Sequence, residues 1–237
     1  MLPTLDGVEP GLLALFWLER RGVRVLNRAA ALVAVHDKLI TAGLLAAAGI
    51  PQPRAVVARG PEDVPLAPPL VLKPRFGSWG RDVFLCRDRA ELVRTFDLVR
   101  ERSWFVRHGA FLQELVPPSG RDLRLLVAGG EVVGAGERVA AAGEWRTNVS
   151  LGATLLPAQP PPEAVALALA AARAVGIDFA GVDVMRLPDG GFSVLELNGA
   201  VEFDERYSLG GRDVYAETAR ALGLPLGRGG PARSRGP

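Results

Sequence analysis

The chain has 237 residues, of which 49% are hydrophobic, enough for one large domain or two small ones with a real core. Its formal charge of +2 is concentrated at one end: Arg228, Arg233 and Arg235 lie in a Gly/Pro/Arg tail without acids, so the remainder is close to neutral. No basic stripe with interleaved aromatics supports nucleic-acid binding. The apolar run Leu12 to Leu18 is too short to span a bilayer, and the single Cys86 rules out a disulfide framework. A cytoplasmic, membrane-free protein is expected.

Along the chain, Gly11 to Arg20 reads as a helix and Val23 to Leu26 as a short strand. An Ala- and Leu-rich helix runs from Asp37 to Ala48 and is stopped by Gly49 and Pro51. Arg54 to Ala58 and Pro69 to Lys73 read as strands, with a turn or short helix at Pro61 to Val64 between them. The glycine loop Gly77-Ser78-Trp79-Gly80 follows, and then a strand from Asp82 to Cys86. Asp88 to Arg102 is an amphipathic helix, with Asp88 as N-cap three residues before Glu91. Ala110 to Val116 is a strand, and Arg121 to Ala128 pairs with Glu131 to Val139 around Gly129-Gly130. A helix spans Pro161 to Val175. Ala180 to Leu187 and Phe192 to Asn198 form a second hairpin, and Asp213 to Leu222 closes as a helix. Two hairpins among irregularly alternating helices and strands predict an α+β fold. Residues 225–237 have a disordered composition.

Only two lysines occur, Lys38 and Lys73, among 28 basic residues. A chain that uses arginine wherever a generic positive charge will serve keeps lysine where a compact ammonium is needed, as beside a phosphate. Lys38 opens a helix. Lys73 ends an apolar strand immediately before the glycine loop, whose backbone N–H groups can cradle an anion. Two surplus surface lysines are the bland alternative.

The second hairpin concentrates carboxylates. If Leu187 pairs with Phe192, Asp183 stands opposite Glu196, with Asn198 on the same face and Val182, Val184, Leu195 and Leu197 on the other. Directly opposed side chains have Cβ atoms roughly 4.5–5.5 Å apart, so two acids there repel unless a cation lies between them. That cation is either a hard metal such as Mg²⁺ or an arginine, with Arg146 and Arg212 the candidates. A glycosidase-like acid/base pair is a third reading.

The ordered series Asp37-Lys38, Val71-Leu72-Lys73-Pro74, Gly77-Ser78-Trp79-Gly80-Arg81, Gln113-Glu114-Leu115-Val116, Gly120-Arg121-Asp122-Leu123-Arg124, Trp145-Arg146-Thr147-Asn148, Gly181-Val182-Asp183 and Glu196-Leu197-Asn198 resembles the ATP-grasp superfamily. Within it, the series is similar to the RimK-type carboxylate–amine ligases. The Gly-Ser-Trp-Gly-Arg loop and Glu202-Phe203 add features of the amino-group carrier protein ligases. The resemblance implies two α+β subdomains gripping ATP, at 36–110 (the lid) and 111–224 (carrying the metal). Residues 1–35 would be the remnant of a preceding domain, which a partner or a second copy would complete.

The resemblance also implies roles. Lys38 and Lys73 would hold the ATP phosphates under a lid of Gly77, Ser78, Trp79 and Gly80. Gln113, Glu114, Leu115 and Val116 would form the adenine hinge, and Asp122 would bind the ribose side. Arg146 and Asn148 would contact the transferring phosphoryl group, with Arg146 and Lys73 catalytic. Asp183, Glu196 and Asn198 would hold Mg²⁺ or Mn²⁺. The implied reaction joins an amine, with glutamate the first choice, to the carboxylate of a small molecule, peptide or carrier protein.

Overall fold

This computed structural model describes residues 10–77, 79–117 and 120–225. Two antiparallel sheets face each other across a cleft. The smaller is built from β1 (Ala55–Ala58), β2 (Leu70–Pro74), β3 (Phe84–Cys86) and β4 (Ala110–Glu114), in the order β1-β4-β2-β3. Two helices follow β3: α4 (Arg89–Val99), whose N-cap Asp88 accepts from the Glu91 N–H, and α5 (Ser103–His108). Their residues Leu92, Phe96, Val99 and Phe105 close a core with Leu70, Leu72 and Leu112.

The larger sheet has the order β7-β6-β5-β8-β9, from β5 (Arg121–Ala128), β6 (Glu131–Val139), β7 (Thr154–Pro157), β8 (Phe179–Arg186) and β9 (Phe192–Asn198). Alternation along β5 sends Leu125 and Val127 to one core and Leu126 and Ala128 to another. The first core is covered by α6 (Pro162–Val175), which buries Ala164, Ala168, Ala171, Ala172 and Val175 along one stripe. Helices α2 (Ala29–His36) and α3 (Lys38–Ala47) join it there. The second core lies under α7 (Val214–Ala221), capped by Asp213. The β5–β6 turn needs glycine at position 129: φ is +54°, and a Cβ there would sit 2.0 Å from the Ala221 carbonyl oxygen.

Several expectations change. Residues Val23 to Leu26 form no strand, and an unpredicted helix, α2, precedes Asp37. Its residues are almost all apolar, so it shows no amphipathic period to read. Trp17 is 59% exposed on α1 (Pro10–Arg20). The 36–110 lid does not hold as a unit: α3 packs into the large-sheet core through Leu45, and position 110 begins β4, which pairs wholly within the small sheet. The chain changes sheets between Glu114 and Arg121. The 226–237 part of the tail lies outside the described residues.

Candidate functional site

The cleft between the sheets has a volume of about 1060 Å³ and takes lining from both. The two lysines meet at its floor. Asp37 caps α3 by accepting from the N–H groups of Leu39 and Ile40, and Arg75 Nε fixes Asp37 at 2.7 Å. This sets Lys38 at the first position of the helix. Lys38 Nζ donates to the Gly77 carbonyl at 2.6 Å and lies 3.4 Å from Glu196. Lys73 Nζ donates to Gln113 Oε1 at 2.9 Å, an uncharged acceptor that orients the ammonium without neutralising it. Burial pulls the Lys73 pKa down to about 8, against the pull of Glu196 in the other direction. A half-buried lysine with a lowered pKa beside a second lysine is an under-compensated cation site, suited to a polyanion.

Asp183 and Glu196 are partners in the β8–β9 ladder, although Phe192 pairs with Arg186 and not, as the hairpin reading assumed, with Leu187. Nearer the turn the register shifts by one residue, with Val184 opposite Val194. This bulge at Leu195 sends Val194 into the core and leaves Leu195 lining the cleft, where simple alternation had buried Leu195.

The cations beside Asp183 are neither of the two expected. Arg124 forks onto it at 2.7 and 2.8 Å, and Arg138 lies 3.0 Å away. Arg138 also forks onto Asp122, whose other contact is Thr147 Oγ1 at 2.7 Å. Burial pushes the Asp122 carboxyl up against the pull of Arg138, whereas the two arginines overcome burial at Asp183 and hold it down. Arg212 pairs with Glu217 and takes no part. The ribose role expected of Asp122 therefore meets a side chain already engaged and 3% exposed. Likewise the Glu114 carboxylate is occupied by Arg54 Nε at 2.9 Å; Gln113, Glu114, Leu115 and Val116 all line the cleft, with the N–H groups of Glu114 and Leu115 donated to the Arg54 and Pro69 carbonyls.

Among the described residues no three His, Cys, Asp or Glu side chains cluster as a metal site. The oxygen chemistry still fits a hard cation: Glu196 and Asn198 both line the cleft, and Mg²⁺ needs only one or two carboxylates besides phosphate oxygens. The Asn198 amide nitrogen is the one buried side-chain polar atom without a partner among the described residues. Asp183 lines the cleft as well, with its carboxylate already engaged by Arg124 and Arg138.

Gly77, Trp79 and Gly80 of the glycine loop line the cleft. Trp79 is 52% exposed and, like Gly80, lines the cleft, while Ser78 lies outside the described residues. Arg146 reaches the Gly80 carbonyl at 3.1 Å, and Ser150 Oγ reaches the Trp79 carbonyl at 3.1 Å. Gly80 has φ +66°, and a Cβ there would lie 3.0 Å from Asn148 Oδ1. Sequence reasoning missed Arg124, Arg138, Glu144 and Ser150. Arg124 and Arg138 sit at alternate-face positions in β5 and β6, which only the pairing turns toward Asp183.

Solved structures share this architecture. A D-cycloserine synthetase aligns with TM-score 0.68 at 22% identity, covering 90% of this chain and 78% of its own. The ATP-grasp ligase PsnB, complexed with minimal precursor, aligns with TM-score 0.67 at 23% identity, covering 90% and 67%. The fold is thus ATP-grasp, two α+β lobes around a nucleotide-sized cleft. The chain belongs to the RimK-like ATP-grasp family, whose profile matches residues 35–222. A probable alpha-L-glutamate ligase of Pseudomonas aeruginosa (strain PAO1) is 33% identical over 227 residues, covering 92% of this chain and 73% of that protein. Human beta-citrylglutamate synthase B is 32% identical over 222 residues, covering 89% and 56%. The chain therefore spans little more than half the length of that human relative.

Proposed function

We propose that this chain carries the ATP-grasp part of an ATP- and Mg²⁺-dependent carboxylate–amine ligase working in the cytoplasm. The observation that carries the reading is the convergence of the sequence's two lysines with Glu196 on the floor of the cleft, beneath Gly77. Its relatives are named as ligases and synthases of glutamate-containing products, which makes glutamate the first amine to test. The acceptor would be a carboxylate on a small molecule, a peptide or a carrier protein. Glu202 and Phe203, which suggested a carrier protein, line the same cleft.

In this reading a substrate carboxylate oxygen attacks the γ-phosphorus of ATP, ADP leaves, and an acyl phosphate forms. The amine then attacks the acyl carbon, and inorganic phosphate departs. Lys38 and Lys73 hold the phosphates as point charges, and Arg146 steadies the transferring group and the later oxyanion. Glu196 and Asn198, with Asp183 lining the same cleft, would hold Mg²⁺ or Mn²⁺, which supplies charge neutralisation at phosphate oxygens. The glycine loop excludes the water that would hydrolyse the acyl phosphate.

The test is phosphate release from ATP and Mg²⁺ over a grid of acids and amines. Release that requires one acid and one amine together, and that falls at least about tenfold in Lys73→Arg, is expected. Tight ATP binding without turnover over the whole grid would defeat the ligase reading. It would favour instead a nucleotide-binding regulator, a reading consistent with Asp183 being already neutralised by Arg124 and Arg138.

A further inference from the structure

Glu144 lies in the turn before Arg146 and makes more internal bonds than a surface carboxylate needs. Its Oε1 accepts from the backbone N–H of Trp145 at 2.8 Å and of Arg146 at 2.9 Å. The same oxygen accepts from Arg146 Nε at 3.0 Å, and Oε2 accepts from Arg146 Nη2 at 2.8 Å. The carboxylate therefore closes the local turn and grips the guanidinium fork at once. Both side chains are half-buried, at 21% and 23% exposure. Hydrogen bonds from Arg146 hold the Glu144 carboxyl down to about 2, so it keeps its charge at any physiological pH.

The guanidinium keeps donors beyond this grip, and its Nη1 uses one of them on the Gly80 carbonyl of the opposite lobe. The fork geometry makes this arrangement directional: with Nε and Nη2 fixed on Glu144, Nη1 points across the cleft. Ser150 makes the parallel bond to Trp79, and Asn148 abuts Gly80. The segment from Glu144 to Ser150 thus forms a catch for the glycine loop.

The geometry points to Glu144 as a positioning residue that aims Arg146, so that one guanidinium both latches the glycine loop across the cleft and presents a charge to the phosphoryl group beneath it. The phosphoryl half rests on the ligase reading; the latch does not. Hydrogen exchange of the glycine-loop amides in the full chain without nucleotide separates the two. Glu144→Gln keeps the shape but gives up the anionic grip, and Arg146→Lys keeps the charge but cannot span Glu144 and Gly80 together.

Both variants should speed exchange in the loop at least about fivefold while exchange in β5 and β8 stays at the wild-type level. Loop exchange within about twofold of wild type in both overturns the latch. A second arm uses guanidinium ion to rescue ATP turnover in Arg146→Ala. Rescue should need at least about tenfold more guanidinium when Glu144→Gln is added, because the seat has lost its charge. Equal rescue in both backgrounds overturns the positioning role. A wild-type chain with no turnover but a loop that opens in both variants would sink the ligase reading and uphold the latch.

Discussion

Replacing Arg138 by Met tests the buried charge network under the cleft. Arg138 is 3% exposed, and Met fills much the same volume without charge. The substitution leaves Asp183 with Arg124 but, among the described residues, leaves Asp122 with only the Thr147 hydroxyl. An unpaired buried charge of this kind costs about 3–5 kcal/mol. Asp122 has an escape, since it can take up a proton, and burial already pushes its pKa upward. Protonating a carboxyl whose unfolded pKa is about 3.9 costs about 4 kcal/mol at pH 7, and about 1.4 kcal/mol less for each pH unit below that. The sign is fixed by proton counting: the variant's folded state binds a proton that its unfolded state does not, so it loses stability as pH rises. Urea denaturation of wild type and variant at pH 5, 6 and 7 reads this directly. The deficit relative to wild type should grow from about 1.5 to about 4 kcal/mol across that range. A deficit that is flat with pH, or below about 1 kcal/mol throughout, would show that Asp122 is not the stranded charge.

Lys73 predicts a pH effect of opposite origin. Its folded pKa of about 8 lies below its ordinary 10.5, so the fold gains stability as pH rises through that window. Phosphate oxygens would restore its charge, so nucleotide binding near pH 8.5 should take up protons, visible as calorimetric heats that differ between buffers of unlike ionisation enthalpy; identical heats would contradict the assignment. Glu196→Gln should weaken the Mg²⁺ dependence of turnover with little change in melting temperature, because among the described residues its ion pair is with Lys38 alone, at 3.4 Å. Unchanged Mg²⁺ titrations would remove Glu196 from the cation site. Asn27→Ala deletes three buried bonds, from Nδ2 to the Phe179 and Gly199 carbonyls and from the Phe179 N–H to Oδ1. Chemical denaturation should show a loss of about 2–4 kcal/mol; a loss under about 1 kcal/mol would mean that water replaces the amide there.

What could be read from the chain alone was written in short stretches of it. Asp88 caps the helix that follows, as its spacing to Glu91 predicted, because a cap needs only its next two or three N–H groups; Asp37 and Asp213, read as helix starts, cap theirs too. The Gly129-Gly130 and Pro188 to Gly191 turns mark both hairpins, but Asp183 comes opposite Glu196 only because the bulge offsets the Arg186–Phe192 register set at the second turn. The two lysines advertised themselves by scarcity. The tertiary structure decided what distance decides: the bulge that turned Leu195 into the cleft, the transfer of α3 to the large-sheet core, and the choice of Arg124 and Arg138 over Arg146 and Arg212 as partners for Asp183. An arginine reads the same in any strand. Which carboxylate it meets depends on sheet order and register across dozens of residues, and those are fixed only when the whole core packs.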